Sequence, residues 1–508
     1  MLTDPDIARL RSDLLAADYT LDGLTERLGA IALAALARNS SIAASRVLGD
    51  ATDPQADAIR VWLLQQPVPA SRLERWASLP ALRAAGLLTG DAELHATIEL
   101  KPHGSDRREG WICSDQTPLD GQVPQPLPDF VLGASPASTT LTQLVPPGHY
   151  QRVLDLGTGC GIQALHLEAD EIVATDLNPR ALDLARIGLG LSGRTADLRF
   201  GSLYEPVAGE RFDLIVTNPP YVLSPPSASR LVYREGGFTG DELMRTVVSQ
   251  AGDHLTDGGL LVVLGNWAVT DPERWADRVA EWIEPGGCDA LVLQRELLDP
   301  YEYVEIWLAD AGLVGTPEYS RRYAEWLDYF ASCGIVGVGM GWIALRRSGR
   351  AQPLVRIEEW PHAVHQPVGR AFGDFFTAIA PAELADADFL ATHLRVHPDV
   401  VQETIGTPGA ADPQHIVLRQ QFGFGRAVEA GTALAAIVGA CDGDLPVGVL
   451  IEAVASLLDA DADHLRTDVL HQLRRLVADG FLLTDTTDTT ELSAGGSQVL
   501  TGFVQPAH

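Results

Sequence analysis

Apolar positions follow three regimes along this chain. Over residues 1–90 they recur at helical spacing: Leu10, Leu14 and Leu15, then Leu21, Leu24 and Leu28, then the run Ile31 to Leu36. Asp53-Pro54 and Pro67-Val68-Pro69 interrupt the pattern and start new helices, and Leu79–Leu88 reads as a short helix that ends at Gly86. Strand-like text follows at Leu94–Leu100 and Gly110–Asp115. Helices followed by a short ribbon predict a winged-helix-like domain over 1–95 and a connector over 96–128, with Gly104–Pro128 rich in Pro, Gly and Asp.

From residue 150 the pattern changes. Short apolar runs at Val153–Leu156, Glu171–Thr175, Leu198–Phe200, Leu214–Thr217 and Leu260–Leu264 alternate with helical stretches. That alternation predicts an α/β domain with a doubly wound, mostly parallel sheet over 129–365. Gly339–Leu345 and Leu354–Trp360 read as an antiparallel C-terminal hairpin closing the sheet. Residues 270–315, with Trp275, Trp282, Trp307 and a strand-like Ala290–Leu293, read as an insertion over one edge. The last regime, 380–508, returns to helices: one opened by Leu445-Pro446, a second over Leu465–Val477. Asp479-Gly480-Phe481-Leu482-Leu483 then echoes Ala85–Leu88, which predicts a second winged-helix-like domain. The final dozen residues read as a frayed end.

Composition narrows the classes. A chain of 508 residues suits about three domains. No apolar run approaches the ~20 residues of a membrane span. The acidic start Leu2-Thr3-Asp4-Pro5-Asp6 lacks the basic and apolar regions of a signal peptide, so a cytoplasmic protein with no membrane partner is expected. Five dispersed cysteines, Cys113, Cys160, Cys288, Cys333 and Cys441, form neither a metal-ligand spacing nor a disulfide framework and are expected as small buried hydrophobes. The net charge is −31, and Lys101 is the sole lysine. Nucleic-acid affinity rises with Lys and Arg that displace counterions, so this balance favours a protein or small-molecule substrate. Asp442, Asp444, Asp459, Asp461 and Asp463 weigh against DNA binding by the C-terminal helices on the same ground.

Two motifs carry chemistry. Asp155-Leu156-Gly157-Thr158-Gly159-Cys160-Gly161 ends a predicted strand and precedes a helix, and its glycines let backbone turn tightly and approach a ligand closely. Nineteen residues after Gly157, Asp176 ends the next strand, where its carboxylate can accept both hydroxyls of a ribose. The Gly-x-Gly-x-Gly spacing departs from the Gly-x-Gly-x-x-Gly of NAD-binding turns. About 60 residues beyond Gly157 stands Asn218-Pro219-Pro220-Tyr221, at the end of the strand Phe212–Thr217. A conjugated amino or amide nitrogen is a poor nucleophile because its lone pair is delocalised. The Asn218 side-chain carbonyl and the Pro219 backbone carbonyl can each accept one of its N–H groups, the two prolines preset that geometry, and Tyr221 offers a face for stacking.

With both motifs in this order, the chain resembles the class I S-adenosylmethionine-dependent methyltransferases. The resemblance implies S-adenosylmethionine as cofactor. It places Asp155 near the methionine ammonium and Gly157, Thr158, Gly159 and Gly161 along methionine and ribose. Asp176 would hold the ribose, Ser202 and Leu203 would flank adenine, and Leu177 and Thr139 join the cofactor-binding set. Asn218, Pro219, Pro220 and Tyr221 are the implied catalytic residues, with direct transfer and no metal. Many members carry Gly-Asp where this chain has Gly201-Ser202.

Within the class the chain is most similar to the protein-glutamine N5-methyltransferases of peptide-release factors. Four stretches carry that likeness: Val131-Leu132 with Pro136 and Thr139; Asn178–Ala185; Phe212–Val222; and Glu235-Gly236-Gly237-Phe238-Thr239-Gly240-Asp241-Glu242-Leu243. The ribosomal-RNA amino-base methyltransferases share Asn-Pro-Pro-Tyr. The chain departs from the glutamine enzymes at Gly265-Asn266-Trp267, where they commonly carry an acid, in the 270–315 segment and in both flanking domains.

Three functions therefore stand side by side. Methylation of a glutamine-like amide in a protein, release-factor-like, predicts a cleft that admits a peptide loop. Methylation of an exocyclic amino group of an RNA or DNA base predicts an Arg-lined groove fed by the 100–110 loop, Arg230 and Arg234. A non-catalytic S-adenosylmethionine-binding regulator would have no use for Asn218–Tyr221. Other clusters read as structural: His393 and His397 at the spacing of a helical pair, His362 and His365 in a loop, and Glu358-Glu359 at a solvated strand edge.

Overall fold

The structure is a computed structural model that describes residues 2–105, 108–122, 128–225, 240–408 and 413–484. Within it the chain divides into two compact units, one of residues 1–142 and 148–360, the other of 143–147 and 361–508.

The first unit opens with helix α1 (Asp4–Ala16), started by a capping box in which Thr3 and Asp6 satisfy each other's backbone N–H groups. Helices at Leu21–Leu36 and Ile42–Leu48 follow. An antiparallel ribbon, β1 (Glu99–Gly104) and β2 (Glu109–Ser114), comes next. The expected boundary near residue 95 is not a boundary of packing. The Tyr19 hydroxyl donates to the Leu100 carbonyl at 2.7 Å, and the Trp111 indole N–H donates back to the Tyr19 carbonyl at 2.9 Å.

The core is an eight-stranded sheet. After helix α2 (Pro136–Leu144) come β3 (Tyr150–Leu156), the short helix α3 (Ile162–His166), β4 (Ala169–Asp176), helix α4 (Pro179–Leu191), β5 (Asp197–Phe200) and β6 (Phe212–Thr217). Helix α5 (Glu242–His254), β7 (Leu255–Val269), helix α6 (Trp275–Ile283), β8 (Asp289–Leu298), helices α7 (Pro300–Asp310) and α8 (Tyr319–Ser332), β9 (Gly337–Arg346) and β10 (Val355–Glu359) complete it. The strand order is β10-β8-β9-β7-β6-β3-β4-β5, with β9 alone antiparallel to its neighbours. The predicted doubly wound, mostly parallel sheet is the sheet observed.

Two expectations need correction. Residues 270–315 are no insertion over an edge, because β8 lies within the sheet, with Ala290–Leu293 fully buried between β9 and β10. Nor do β9 and β10 form a hairpin: β8 sits between them and pairs parallel with β10. A strand that enters a sheet out of chain order leaves no mark in periodicity, which reports burial and not neighbours.

Helix α4 joins the ribbon and α1 to the sheet. Its interior carries Gly188 and Gly190, each costing ~1 kcal/mol of helix propensity relative to Ala. A Cβ at Gly188 would stand 3.0 Å from the Trp111 carbonyl oxygen, and one at Gly190 2.9 Å from Ile7. The two glycines let β2 and α1 reach the helix backbone. Arg186 of α4 then bonds Asp4 at 2.9 Å, and Ser192 receives the Trp111 N–H at 2.9 Å.

The second unit holds helices Gly369–Ala382, Thr432–Gly439, Val447–Leu457 and Ala462–Ala478, and two three-stranded sheets. Its core gathers Phe389, Leu394, Ile437, Ile451, Leu473 and Phe481. The His393–Val396 segment is a strand, not the expected helix end, so His393 and His397 share no helical face. His393 bonds the Gly443 carbonyl and His397 stacks on Phe422.

Candidate active site

The doubly wound order places a crevice where the chain reverses direction across the sheet, between the carboxyl ends of β3 and β6. A cavity of about 350 Å³ opens there. Both sequence motifs line it: Gly157, Thr158, Gly159 and Cys160 after β3, and Asn218, Pro219 and Pro220 after β6.

The β3 loop is shaped by its own backbone. The N–H groups of Gly157 and Thr158 both donate to the Thr175 carbonyl at 2.9 Å, and Gly161 donates to the Thr158 carbonyl at 2.9 Å. Gly157 and Gly159 take φ values of 77° and 55°, and a Cβ on either would point into open space. These positions combine a left-handed backbone with an empty face, the form of a cradle for a ligand. Gly161, also left-handed, faces the Ala185 Cβ at 3.2 Å, so it serves helix packing instead.

Asp176 ends β4 and lines the cavity. Its Oδ2 accepts the Gly159 N–H at 2.9 Å and its Oδ1 the Asn178 N–H at 2.8 Å. Burial raises its pKa above the usual carboxylate value, against the opposing pull of these backbone donors. Leu177, Gly201, Ser202 and Leu203 continue the wall, and Leu203 adopts φ 47°, a left-handed value for a residue with a branched side chain.

Besides Gly161, three predicted residues stand off the cavity wall. Asp155 does not line the cavity. It lies under the loop, where its Oδ2 accepts the Thr158 hydroxyl at 2.7 Å and the Ala164 N–H at 3.1 Å, and burial pushes its pKa up to about 7. A strand-end side chain that turns inward is claimed by the loop it supports. Thr139 sits on α2 one residue past the cavity wall, which Ser135 and Ser138 form instead. Tyr221 packs against the apolar core of the sheet and does not line the cavity, and burial pushes its hydroxyl pKa up to about 12.

Several wall residues went unread in the sequence. The strap Phe130, Val131, Leu132 and Gly133 closes one side. It is held by the Asn178 amide on the Asp129 carbonyl at 2.8 Å and by the Val131 N–H on Asp115 at 2.8 Å, while Asp115 is itself paired with Arg180. Gln163 of α3 and Leu243 of α5 also reach the cavity. Val131, Leu132 and Leu243 fall in stretches that carry the family likeness, but no local pattern gave them a place at the cavity, because each is brought in by another segment.

Asn218, Pro219 and Pro220 mark the end of the cavity after β6. Asn218 Oδ1 is buried and has no hydrogen-bond partner among the described residues. Burying an unpaired carbonyl costs roughly 1–3 kcal/mol, a cost that a bound N–H donor would offset. Downstream, α7 and α8 grip the chain. The Tyr303 hydroxyl, fully buried, accepts the Leu223 N–H at 2.9 Å and the Asn266 amide at 3.1 Å, and the Tyr329 hydroxyl accepts the Gly240 N–H at 2.9 Å. Asp241 is ion-paired with Arg278 of α6 and caps the Ala268 N–H at 2.9 Å, which fixes the start of α5 and with it Leu243. The expected Glu235–Thr239 segment, Arg230 and Arg234 lie outside the described residues. Arg108 of the 100–110 loop is paired with Glu168.

Four of the five cysteines are buried as expected, and Cys333 is exposed. Among the described residues no three His, Cys, Asp or Glu side chains group as metal ligands, and no helix is long and apolar enough to cross a membrane.

Two family models match the chain: a domain of unknown function (DUF7059) over residues 16–98 and the methyltransferase small domain over 134–274. A ribosomal protein uL3 glutamine methyltransferase from Bradyrhizobium diazoefficiens is 33% identical over 27% of this chain and 48% of its own length. A release factor glutamine methyltransferase from Xylella fastidiosa is 37% identical over 23% of this chain and 47% of its own. The chain thus spans about half the length of these two relatives. A ribosomal protein L11 methyltransferase from Symbiobacterium thermophilum is 35% identical over 42% of this chain and 77% of its own.

Proposed function

We propose that this chain, which belongs to the family of methyltransferases built on the methyltransferase small domain, methylates a planar amide nitrogen, the side chain of a glutamine in a protein, with S-adenosylmethionine as donor. The observation that carries the reading is the unpaired, buried Asn218 carbonyl at the wall of a cavity that the glycine cradle also lines. The residues present fit the cofactor: open faces at Gly157 and Gly159, a carboxylate at Asp176, and apolar Leu177 and Leu203 beyond it. When bound, the cofactor supplies an electrophilic methyl group.

The protein's own part is orientation. Asn218 Oδ1 takes one N–H of the acceptor amide and the Pro219 carbonyl takes the other. Both bonds draw the nitrogen lone pair out of conjugation and aim it at the methyl. Pro219 and Pro220 hold these acceptors without paying entropy on binding. The strap 130–133 and Leu243 exclude water from the transfer. Tyr303, Asn266 and Tyr329 hold the chain on either side of residues 224–239, and so act as positioning residues. The strongly acidic surface suits a basic protein partner, and the names of the two glutamine methyltransferases point the same way. The proposed setting is the cytoplasm.

The test is transfer of tritiated methyl from S-adenosylmethionine into a fractionated cell extract, wild type against Asn218→Ala. Label in protease-sensitive material that is lost in the variant is expected. Label in nuclease-sensitive material would replace the amide reading with methylation of a nucleic-acid base. Cofactor binding with no label in any fraction would replace it with a regulator.

A further inference from the structure

Gln163 carries an unanswered hydrogen bond. It is the second residue of α3, is 4% exposed and lines the cavity. Its Nε2 donates to the Ser138 carbonyl at 2.8 Å. A carbonyl can only accept, so this bond fixes which way the amide points: nitrogen to Ser138, oxygen away from it. That oxygen, Oε1, is buried and has no partner among the described residues. The same side chain is therefore held by one end and left open at the other.

The position along the sheet says what should fill it. Leu177, Ser202 and Leu203, after β4 and β5, are the apolar end suited to a base, and Asp176 after β4 suits a ribose. Continuing across the sheet toward β3 and β6 leads to Gln163 and then Asn218. A ligand laid out from base to ribose thus presents its remaining part, the amino-acid tail, to Gln163. The acid of the same loop, Asp155, is turned under it and engaged by Thr158 and Ala164, so it does not face the tail directly. We propose that Gln163 Oε1 is the acceptor for the ammonium of the cofactor's amino-acid moiety, a binding residue for that tail and not for the nucleoside. This rests on the methyltransferase reading above.

The experiment is calorimetry with two ligands that share the nucleoside and differ in the tail: S-adenosylhomocysteine, which has the ammonium, and 5′-methylthioadenosine, which lacks it. Gln163→Met keeps the length and volume of the side chain and removes its carbonyl. Losing a bond to a charged donor predicts roughly tenfold or more weaker S-adenosylhomocysteine binding. Binding of 5′-methylthioadenosine should stay within about twofold of wild type. Gln163→Glu keeps an acceptor oxygen but loses the N–H that the Ser138 carbonyl accepts, so it should bind S-adenosylhomocysteine more tightly than Gln163→Met does and more weakly than wild type. A parallel loss for both ligands would mark Gln163 as a purely structural support, and no loss for either would show that water satisfies the oxygen; each overturns the assignment. Should Gln163→Met not fold, Gln163→Leu, which also removes the carbonyl, is measured with the same two ligands, and a loss confined to S-adenosylhomocysteine is again the expected result. Failure of wild type to bind either ligand would overturn the methyltransferase reading as well, which separates the two.

Discussion

The two ends of the cavity are built in opposite ways. At the cofactor end, the backbone hydrogen bonds of the loop after β3 are local and closed: Gly157, Thr158, Gly159 and Gly161 all donate within the β3–β4 unit, to Thr175, Asp176 and Thr158. At the acceptor end, Asn218 leaves its carbonyl open, and the chain beyond it is held from far away. Tyr303 is 80 residues from Leu223, and Tyr329 is 89 from Gly240. A group that binds the same ligand in every turnover can be cradled by a rigid local turn. A site that must accept one partner and reject others is bounded by elements added around the sheet, here α7 and α8.

The sharpest break between the two ends is Asn218→Ala. Removing one preset group that acts on the reacting centre typically costs 10²–10³ in rate. Methyl transfer should therefore fall at least about a hundredfold, while affinity for S-adenosylhomocysteine stays within about threefold. Equal losses in rate and cofactor affinity would show that the two ends are one site and not two.

Gly159→Ala attacks the other end. Its Cβ would stand in the open face of the cradle at a left-handed φ of 55°. Crowding of this kind costs ~2 kcal/mol, or about 30-fold in cofactor affinity. The free protein should lose only the ~1 kcal/mol of backbone strain. Calorimetry with S-adenosylhomocysteine beside thermal unfolding without ligand separates these two quantities. A milder effect is expected for Tyr303→Phe, which keeps the ring among Trp307, Trp326 and Phe330 and removes the hydroxyl from Leu223 and Asn266. The rate at saturating acceptor should drop about tenfold, with the number of cofactor sites per chain unchanged. A fall in that number would assign Tyr303 to folding alone.

The same contrast explains what the sequence made legible. The glycine cradle, Asp176 and Asn218 were readable because each lies at a strand end marked by its own apolar run and its own glycines or prolines. In the structure Asn178 caps α4, its side chain accepting the Arg180 N–H at 3.0 Å, with Pro179 at the first turn. The strap 130–133, Gln163 and the tyrosine grips were not readable. Each acts across a long separation, and periodicity carries no information on which distant segment a strand or helix meets. The misplacement of β8 has the same origin. Ala290–Leu293 looked like a strand and is one, but its seat between β9 and β10 is a property of the sheet. Asp155 and Tyr221 differ: both were expected in the site, and the structure turns Asp155 under the loop and packs Tyr221, four residues past β6, against the core. In a strand a single position decides whether a side chain faces the ligand or the core.

Asp155 offers the smallest effect and a direct check on that direction. Its carboxyl is buried under the loop with its pKa pushed up to about 7 from an ordinary 3.8, chiefly by burial. Between these two values the folded chain holds a proton that the unfolded chain has released. Stability from this group is thus full below about pH 4 and is lost as pH rises toward about pH 7. Asp155→Asn keeps an oxygen for the Thr158 hydroxyl and the Ala164 N–H and removes the titration. Asp176, Asp374 and Glu99 are raised by burial in the same direction, so wild type and variant will both lose stability over this range. The difference between them isolates Asp155: the thermal midpoint of wild type should fall about 2 °C further than that of the variant between about pH 5 and pH 7.5. Saturating S-adenosylhomocysteine then sharpens the point. If Asp155 faced the ligand's ammonium, that charge would hold the carboxylate ionised and the extra slope would vanish on binding. With Gln163 taking the ammonium and Asp155 turned beneath the loop, most of the slope should survive.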